Sequence, residues 1–271
     1  MPPERQPPPG CATRPVIRYE RGRRIEADDR LAEEVPVAMH FDGEPFAVMM
    51  ATPADLADFS RGFALTEGKV ATVEDIVAID VREVLEGIVV DVRTAAGLSS
   101  QRTSTRELPG RSGCGICGSR ELEDVVRHPA PVAAGPAVGA DAIERALEAL
   151  RSRQPINAFT GSVHAAGWAL PDGTIVDVRE DVGRHNALDK LIGAMLLAGT
   201  DPRNGFLVIT SRASYEMVTK AAVAGMTIVV AISAPTALAV HLAADCGVTL
   251  LGFARPGRFN LYSRPERIRD P

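Results

Sequence analysis

The last third of the chain repeats one pattern three times: a run of apolar, largely β-branched residues, a polar break, then an amphipathic stretch. The runs fall at 206–210, 226–232 and 248–253, with predicted helices at 214–224 and 235–245 between them. Runs this uniformly apolar have no face suited to water, so they read as strands buried on both sides. Strands separated by a helix join in parallel through right-handed crossovers, which restricts the region to an α/β fold with a covered parallel sheet. Such crossovers bring every strand-to-helix loop to one carboxyl edge, where open α/β sheets bind ligands. The loops read Ser211-Arg212-Ala213-Ser214, Ser233-Ala234-Pro235-Thr236 and Ala254-Arg255-Pro256-Gly257-Arg258. A fourth, Asp181-Val182-Gly183-Arg184-His185-Asn186, follows another predicted strand and is expected to join them. Arginine forks, hydroxyls and helix N-termini gathered at one edge suit an anion, most naturally phosphate. Helix capping and surface ion pairs would account for any one loop alone; the convergence of several favours a ligand.

Ahead of these cycles a helix is predicted at 141–151. Strands follow at 164–170 and 175–178, separated by Pro171-Asp172-Gly173, and then a helix at 186–198 ended by Gly199. Together they make an α/β domain over 141–265 with a short tail at 266–271. A Pro/Gly/Ala-rich linker at 128–140 divides it from a smaller α+β domain at 16–127. In that first domain Asp42-Gly43 and Glu86-Gly87 each lie between apolar runs, which gives two hairpins. Thr52-Pro53-Ala54-Asp55 is expected to open the intervening helix with a cap and an N1 proline, and Leu56, Phe59 and Phe63 form its apolar stripe. Residues 1–15 are proline-rich and are expected to be a disordered tail containing Cys11.

Two of the four cysteines stand two residues apart in Arg111-Ser112-Gly113-Cys114-Gly115-Ile116-Cys117-Gly118. Glycine permits positive φ and close approach, so both thiols sit on an adaptable backbone. The predicted helix at 119–127 follows directly, and its N-terminus would favour thiolate. Upstream, the stretch at 94–111 has no periodicity, so 94–118 is expected to be a mobile loop with fast hydrogen exchange before Gly113. Four chemistries fit a lone C-x-x-C. Zinc would need two further ligands, and His128 is the one nearby candidate. A thioredoxin-type pair should follow a βαβ strand, and this pair follows a polar loop. Inert cysteines are normally buried, which a glycine-dense loop disfavours. Nucleophilic sulfur chemistry, in which a thiolate accepts sulfur as a persulfide, is the preferred reading. Cys246 reads as core, and His164 and His241 as structural. His185 lies in the polar cluster and is the exception worth testing.

The balance of charge bears on partners. A net charge of −5 argues against a general nucleic-acid binder. Four irregularly spaced cysteines do not form a secreted disulfide framework. No apolar run reaches membrane-spanning length and no secretory signal is visible, so a cytoplasmic protein without a membrane segment is expected.

Five motifs resemble those of the formate dehydrogenase accessory sulfurtransferase family. They are the Cys114–Cys117 segment, Thr160-Gly-Ser-Val-His-Ala-Ala166, Glu180-Asp-Val-Gly-Arg-His-Asn-Ala-Leu-Asp-Lys190, Ser211-Arg-Ala-Ser-Tyr-Glu-Met217 and Gly252-Phe-Ala-Arg-Pro-Gly-Arg258. The resemblance implies a cytoplasmic homodimer that takes sulfur from a cysteine desulfurase as a persulfide on Cys114. The sulfur then goes to the molybdenum bis(molybdopterin guanine dinucleotide) cofactor, or a tungsten analogue, for formate dehydrogenase. It implies that Phe253, Ala254, Arg255, Pro256, Gly257 and Arg258 contact the cofactor, and that the second domain has a cytidine-deaminase-like α/β/α fold. Ser211, Arg212, Arg184 and His185 complete the expected cofactor site, with Cys117 beside Cys114 in the chemistry and no structural metal. Zinc deaminases carry H-x-E, whereas His164-Ala165-Ala166 lacks the glutamate, which disfavours a zinc-dependent hydrolase. A cofactor-binding chaperone that moves no sulfur also fits the sequence. Retained binding with a dispensable Cys114 would mark it.

Overall fold

In the computed structural model, which describes residues 7–95 and 129–269, two sheets are joined through a pair of crossed helices. Strands β3 (Val35–Phe41) and β4 (Glu44–Ala51) form the first expected hairpin. Asp42 and Gly43 turn it with φ of 53° and 84°, the left-handed pair that a two-residue hairpin demands. Strands β5 (Ile76–Val84) and β6 (Gly87–Thr94) form the second, and β6 pairs in parallel with β3, giving the order β4-β3-β6-β5. Helix α1 (Leu56–Thr66) covers one face, packing Phe59 and Phe63 onto Val37, Met39, Phe41, Val90 and Val92.

The helix opening differs from expectation. Asp55, at φ 55°, precedes the first helical residue without a side-chain cap, and Pro53 lies outside the helix. Thr52 is diverted to a longer-range task. Its N–H donates to Asp181 Oδ2 at 3.0 Å, and its Oγ1 accepts from Val182 N at 3.2 Å.

The second sheet has six strands in the order β13-β12-β11-β10-β8-β9. They are β8 (His164–Ala169), β9 (Ile175–Asp181), β10 (Phe206–Ile209), β11 (Ile228–Ala231), β12 (Thr249–Arg255) and β13 (Arg258–Ser263). The three central strands β10, β11 and β12 run parallel as the repeat requires. The sheet as a whole is mixed, because β8 and β13 are hairpin partners that return antiparallel. Helices α2 (Ala140–Ser152) and, after the short α3 (Pro155–Thr160), α4 (Arg184–Leu197), α5 (Tyr215–Val223) and α6 (Ala237–Asp245) complete three layers. Side chains alternate across the strands. Trp168, Leu207, Ile209, Val229 and Leu250 face α4, α5 and α6, while Phe206, Val208, Ile228 and Val230 face Ile143, Leu147 and Leu150 of α2. Each such side chain, fully withdrawn from water, contributes roughly 1.5–3 kcal/mol before entropy is counted.

Both expected tails are structured in part. Cys11–Glu20 is strand β1, paired antiparallel over its length with β2 (Arg23–Ala32), so the ordered chain begins before residue 15. Pro15 is tolerated because a two-stranded ribbon has free edges. In the expected linker and carboxyl-terminal tail, β7 (Val138–Gly139) and β14 (Ile268–Arg269) pair in parallel.

Glycines at a helix crossing unite the halves. A Cβ on Gly62 of α1 would lie 1.9 Å from Asp189 O of α4, and one on Gly193 of α4 would lie 1.9 Å from Asp58 O of α1. The two backbones therefore touch reciprocally, and no larger residue fits without moving a helix. Gly193→Ala should cost about 2–3 kcal/mol by overpacking. Denaturant unfolding checks it; an unchanged midpoint would show that the helices can part freely.

Candidate functional site

Because β8 runs antiparallel to both β9 and β10, strands β9 to β12 all end at one edge, beside the amino end of β8. The expected convergence is therefore formed. The loops interlock: Ala213 bridges Pro235 in parallel, Thr236 N donates to Ala213 O at 3.0 Å, and Phe253 N donates to Ser233 O at 3.1 Å. Thr210 Oγ1 accepts from Ala165 N at 2.9 Å, fixing the β8 end. Gly252 is required here, since its Cβ would meet Pro235 Cδ at 2.7 Å.

Arg184 opens α4, Ser214 precedes α5, and Arg212 is exposed between β10 and α5. Arg184 Nε and Ser214 Oγ are buried with no hydrogen-bond partner among the described residues. The edge is cationic. Burial first, then the charges of Arg184 and Arg212, hold the His164 imidazole below its ordinary pKa, against an opposing pull from Asp181. Ser211 is buried and its hydroxyl donates to Arg212 O at 3.1 Å, so it shapes the loop. His185 is buried in the first turn of α4, with Nε2 3.2 Å from Glu216 Oε2 on α5.

The Phe253–Arg258 stretch departs from expectation in one respect. It is a tight hairpin turn between β12 and β13 rather than a strand-to-helix loop. A bulge between Gly252 and Arg255 puts Phe253 at φ 53°, half exposed, while Ala254 is buried. A non-glycine residue held in the left-handed region costs of order 1–3 kcal/mol, so tertiary contacts enforce this conformation. Arg255 turns back on the backbone, donating to Ile232 O and to Ala254 O at 2.8 Å. Gly257, at φ 80°, donates its N–H to Glu144 Oε1 of α2 at 2.9 Å, and Arg258 is exposed beside it. Arg255 therefore braces the turn, while Arg212 and Arg258 are exposed and Arg184 stands at the start of α4.

Two buried lysines behind the edge were missed by sequence reasoning. Lys190 Nζ is 2.6 Å from Asp181 Oδ2 and donates to Thr52 O at 2.9 Å. Lys220 Nζ is 2.8 Å from Asp189 Oδ2 and 3.3 Å from Glu67 Oε1. For Lys190 the signal was available, since Asp189 and Lys190 interrupt an otherwise apolar stretch at 187–195 and charged residues there can be buried only if paired. Their partners were not legible: Asp181 and Asp189 lie on other elements, and Thr52 and Glu67 are more than a hundred residues away in sequence.

Cys114 and Cys117 lie outside the described residues, as does the predicted helix at 119–127. The point from which their segment departs is well defined: Thr94, the last residue of β6, donates its N–H and its hydroxyl to the two Asp42 carboxylate oxygens, each at 2.7 Å. On the return side, Cys246 Sγ donates to Pro129 O at 3.5 Å and Val132 N donates to Cys246 O at 2.8 Å. Cys246 is buried, as read from its helix end. Among the described residues no helix is long and apolar enough to cross a membrane.

The model of the FdhD/NarQ family matches residues 32–269. A sulfur carrier protein FdhD of Xanthomonas campestris pv. campestris is 51% identical over 264 residues, covering 96% of this chain and 93% of its own. The corresponding protein of Cupriavidus necator is 47% identical, covering 96% and 91%. Among solved structures, a protein of Desulfotalea psychrophila described as a formate dehydrogenase accessory protein superposes with a TM-score of 0.75 at 26% identity, covering 96% of this chain and 100% of that one.

Proposed function

The chain belongs to the FdhD/NarQ family, and from that premise we propose that it carries sulfur, as a persulfide on Cys114, from a cysteine desulfurase to the molybdenum cofactor of formate dehydrogenase. The observation that carries this reading is 51% identity over nearly the whole chain to a protein named as a sulfur carrier, in a sequence that contains the Cys114-Gly-Ile-Cys117 pair. In loading, the Cys114 thiolate attacks the terminal sulfur of the desulfurase persulfide. One S–S bond breaks, one forms, and the desulfurase leaves as a thiolate, so no external oxidant is needed. The sulfur then passes to the bis(molybdopterin guanine dinucleotide) form of the cofactor, with molybdenum or tungsten, which is the substrate here. Partners are thus a cysteine desulfurase and formate dehydrogenase; the carrier acts in the cytoplasm as a homodimer, without nucleic acid or membrane. The deaminase-like reading of the second sheet domain rests on the family resemblance.

The carboxyl edge of β9 to β12 takes the guanine-nucleotide ends of that substrate. Support comes from the cationic field of Arg184 and Arg212 and from the buried Ser214 Oγ and Arg184 Nε, which have no hydrogen-bond partner among the described residues. The Gly257 turn, held by Glu144, leaves the Arg258 guanidinium exposed at the end of β12. Incubation with a desulfurase and cysteine should add the mass of one sulfur, removed again by reductant; a protein that never gains it does not carry sulfur this way. For the binding edge, Arg258→Ala should weaken guanosine diphosphate binding about tenfold, since a charged hydrogen bond contributes roughly 1.5–3 kcal/mol. Persulfide loading should be unchanged. Calorimetric titration decides, and unaltered affinity would take Arg258 out of the site.

A further inference from the structure

His164 opens β8 at the edge where β9 to β12 end. Its side chain lies on the face that carries α4. Strand residues alternate between faces, and Ala166 and Trp168, two and four places on, pack in the cluster that holds Leu188 and Leu191. Cross-strand register sets His164 directly opposite Asp181 of β9. Asp181 is fully buried and held in place, since it accepts from Thr52 N, Gly183 N and Asn186 Nδ2 and meets Lys190 Nζ. The start of α4 brings Arg184, and the loop after β10 brings Arg212, both near enough to act on the imidazole. His164 is itself half buried, so it has lost part of its water yet stays open to a ligand.

Strand β8 packs on β9, β10 and α4, and the other charged groups of these elements are engaged elsewhere. On β9, Arg179 pairs with Asp58 and Asp177, and Glu180 accepts from Ile156 N and Asn157 N. On α4, His185 faces Glu216, Asp189 holds Lys220 and Lys190 holds Asp181. Strand β10 carries no charge. The balance on His164 is thus two arginines against one carboxylate in a partly desolvated place. Burial and the arginines prevail, which leaves the ring neutral at pH 7.

We propose that His164 is a phosphate-binding residue that takes up a proton from solvent as the anion arrives. The inference rests on the binding-edge reading given above and adds to it a residue and a coupling. A pyrophosphate lying against Arg184 and Arg212 cancels the field that keeps the imidazole neutral. Asp181 and the ligand then both attract the proton. The charged ring donates to a phosphate oxygen, and a bond of that kind is among the strong ones. Arg184 Nε and Ser214 Oγ, both buried without a hydrogen-bond partner among the described residues, supply further donors at the helix starts on this face. Three fixed cations gathered in an empty, half-buried site would repel one another. A third charge that appears only with the ligand avoids that repulsion in the free protein.

Histidine NMR and calorimetry test the coupling in the full-length protein, with guanosine diphosphate as the probe. The His164 ring resonance, assigned through its backbone, should titrate about one pH unit higher with saturating nucleotide than without it, a factor of ten in proton affinity. Linkage requires that protonation strengthen nucleotide binding by the same factor. The ratio of wild-type affinity to that of His164→Gln should therefore rise about tenfold as pH falls through the two pKa values. Taking the ratio removes the titration of the nucleotide's own phosphate, which both proteins share. The ring titration is read on wild type, so it decides even where the variant folds poorly. If guanosine diphosphate does not bind wild type at any pH, the binding-edge reading itself fails. If it binds and the His164 titration does not move, or the affinity ratio is flat with pH, His164 takes up no proton and the inference is wrong.

Discussion

A protein carrying Cys114→Ala should gain no sulfur from a desulfurase and restore no formate dehydrogenase activity in cells lacking their own copy. Cys11 and Cys246, the two described thiols, are poor substitutes. Burial, with help from Glu180 and Glu33, pushes the Cys11 thiol up from its ordinary pKa, and burial with Asp245 does the same to Cys246. A raised pKa leaves little thiolate at neutral pH, and thiolate is the nucleophile. Cys246 is in addition engaged in tethering Pro129. Guanosine diphosphate affinity should survive the change, since the residues proposed to bind the nucleotide do not include Cys114. The pair of measurements separates the two readings of the family. Loss of sulfur and activity with intact nucleotide binding marks a carrier; intact activity without a persulfide marks a chaperone.

How much of this could be read beforehand depends on the range of the interaction. Asp42-Gly43 and Glu86-Gly87 announced their hairpins because turn geometry is decided by the turn residues themselves. The parallel core of β10, β11 and β12 was legible from apolar runs that no half-wet strand would carry. By contrast, Thr52 satisfies every local rule for a helix cap, and the structure spends it on Asp181. The β1–β2 ribbon hid behind its prolines, since composition measures average burial and cannot show that one proline sits where no ladder bond is needed. At the candidate site, the loops and their shared edge followed from crossover handedness. Which arginine braces the turn and which faces outward did not follow, because Arg255 is held by Ile232 O, a backbone atom of the neighbouring strand's loop. Glu216 was overlooked for a similar reason: its partner His185 lies on another helix.

The buried lysine cluster yields the largest expected change in stability. Lys220 Nζ donates to Asp189 Oδ2 at 2.8 Å, to Thr66 Oγ1 at 2.9 Å and to Glu67 Oε1 at 3.3 Å, and sits 5.4 Å from the Phe63 ring centroid. It therefore ties α5 to the end of α1 and to α4, across the junction of the two halves. Burial pushes Asp189 up to about 6, with the attraction of Lys220 offsetting part of that. Burial alone would lower the Lys220 pKa, but Asp189, Glu67 and Glu216 outweigh it and the net shift is upward. At neutral pH the native cluster accordingly holds the Lys220 ammonium against an ionised Asp189. Lys220→Met keeps most of the volume and removes the cation, leaving Asp189 and Glu67 facing each other without it. Breaking a buried pair in this way costs about 3–5 kcal/mol. The sign of the pH dependence follows from the carboxylates. Without Lys220 the native pKa of Asp189 rises further above its unfolded value, so the folded state binds more protons than the unfolded state over the acidic range. Its stability must then increase as pH falls from about 7 toward 4. The deficit relative to wild type should be largest near pH 7.5 and shrink at pH 5, as read from urea unfolding at the two values. A deficit of equal size at both would show that the ionisation of Asp189 does not carry the effect.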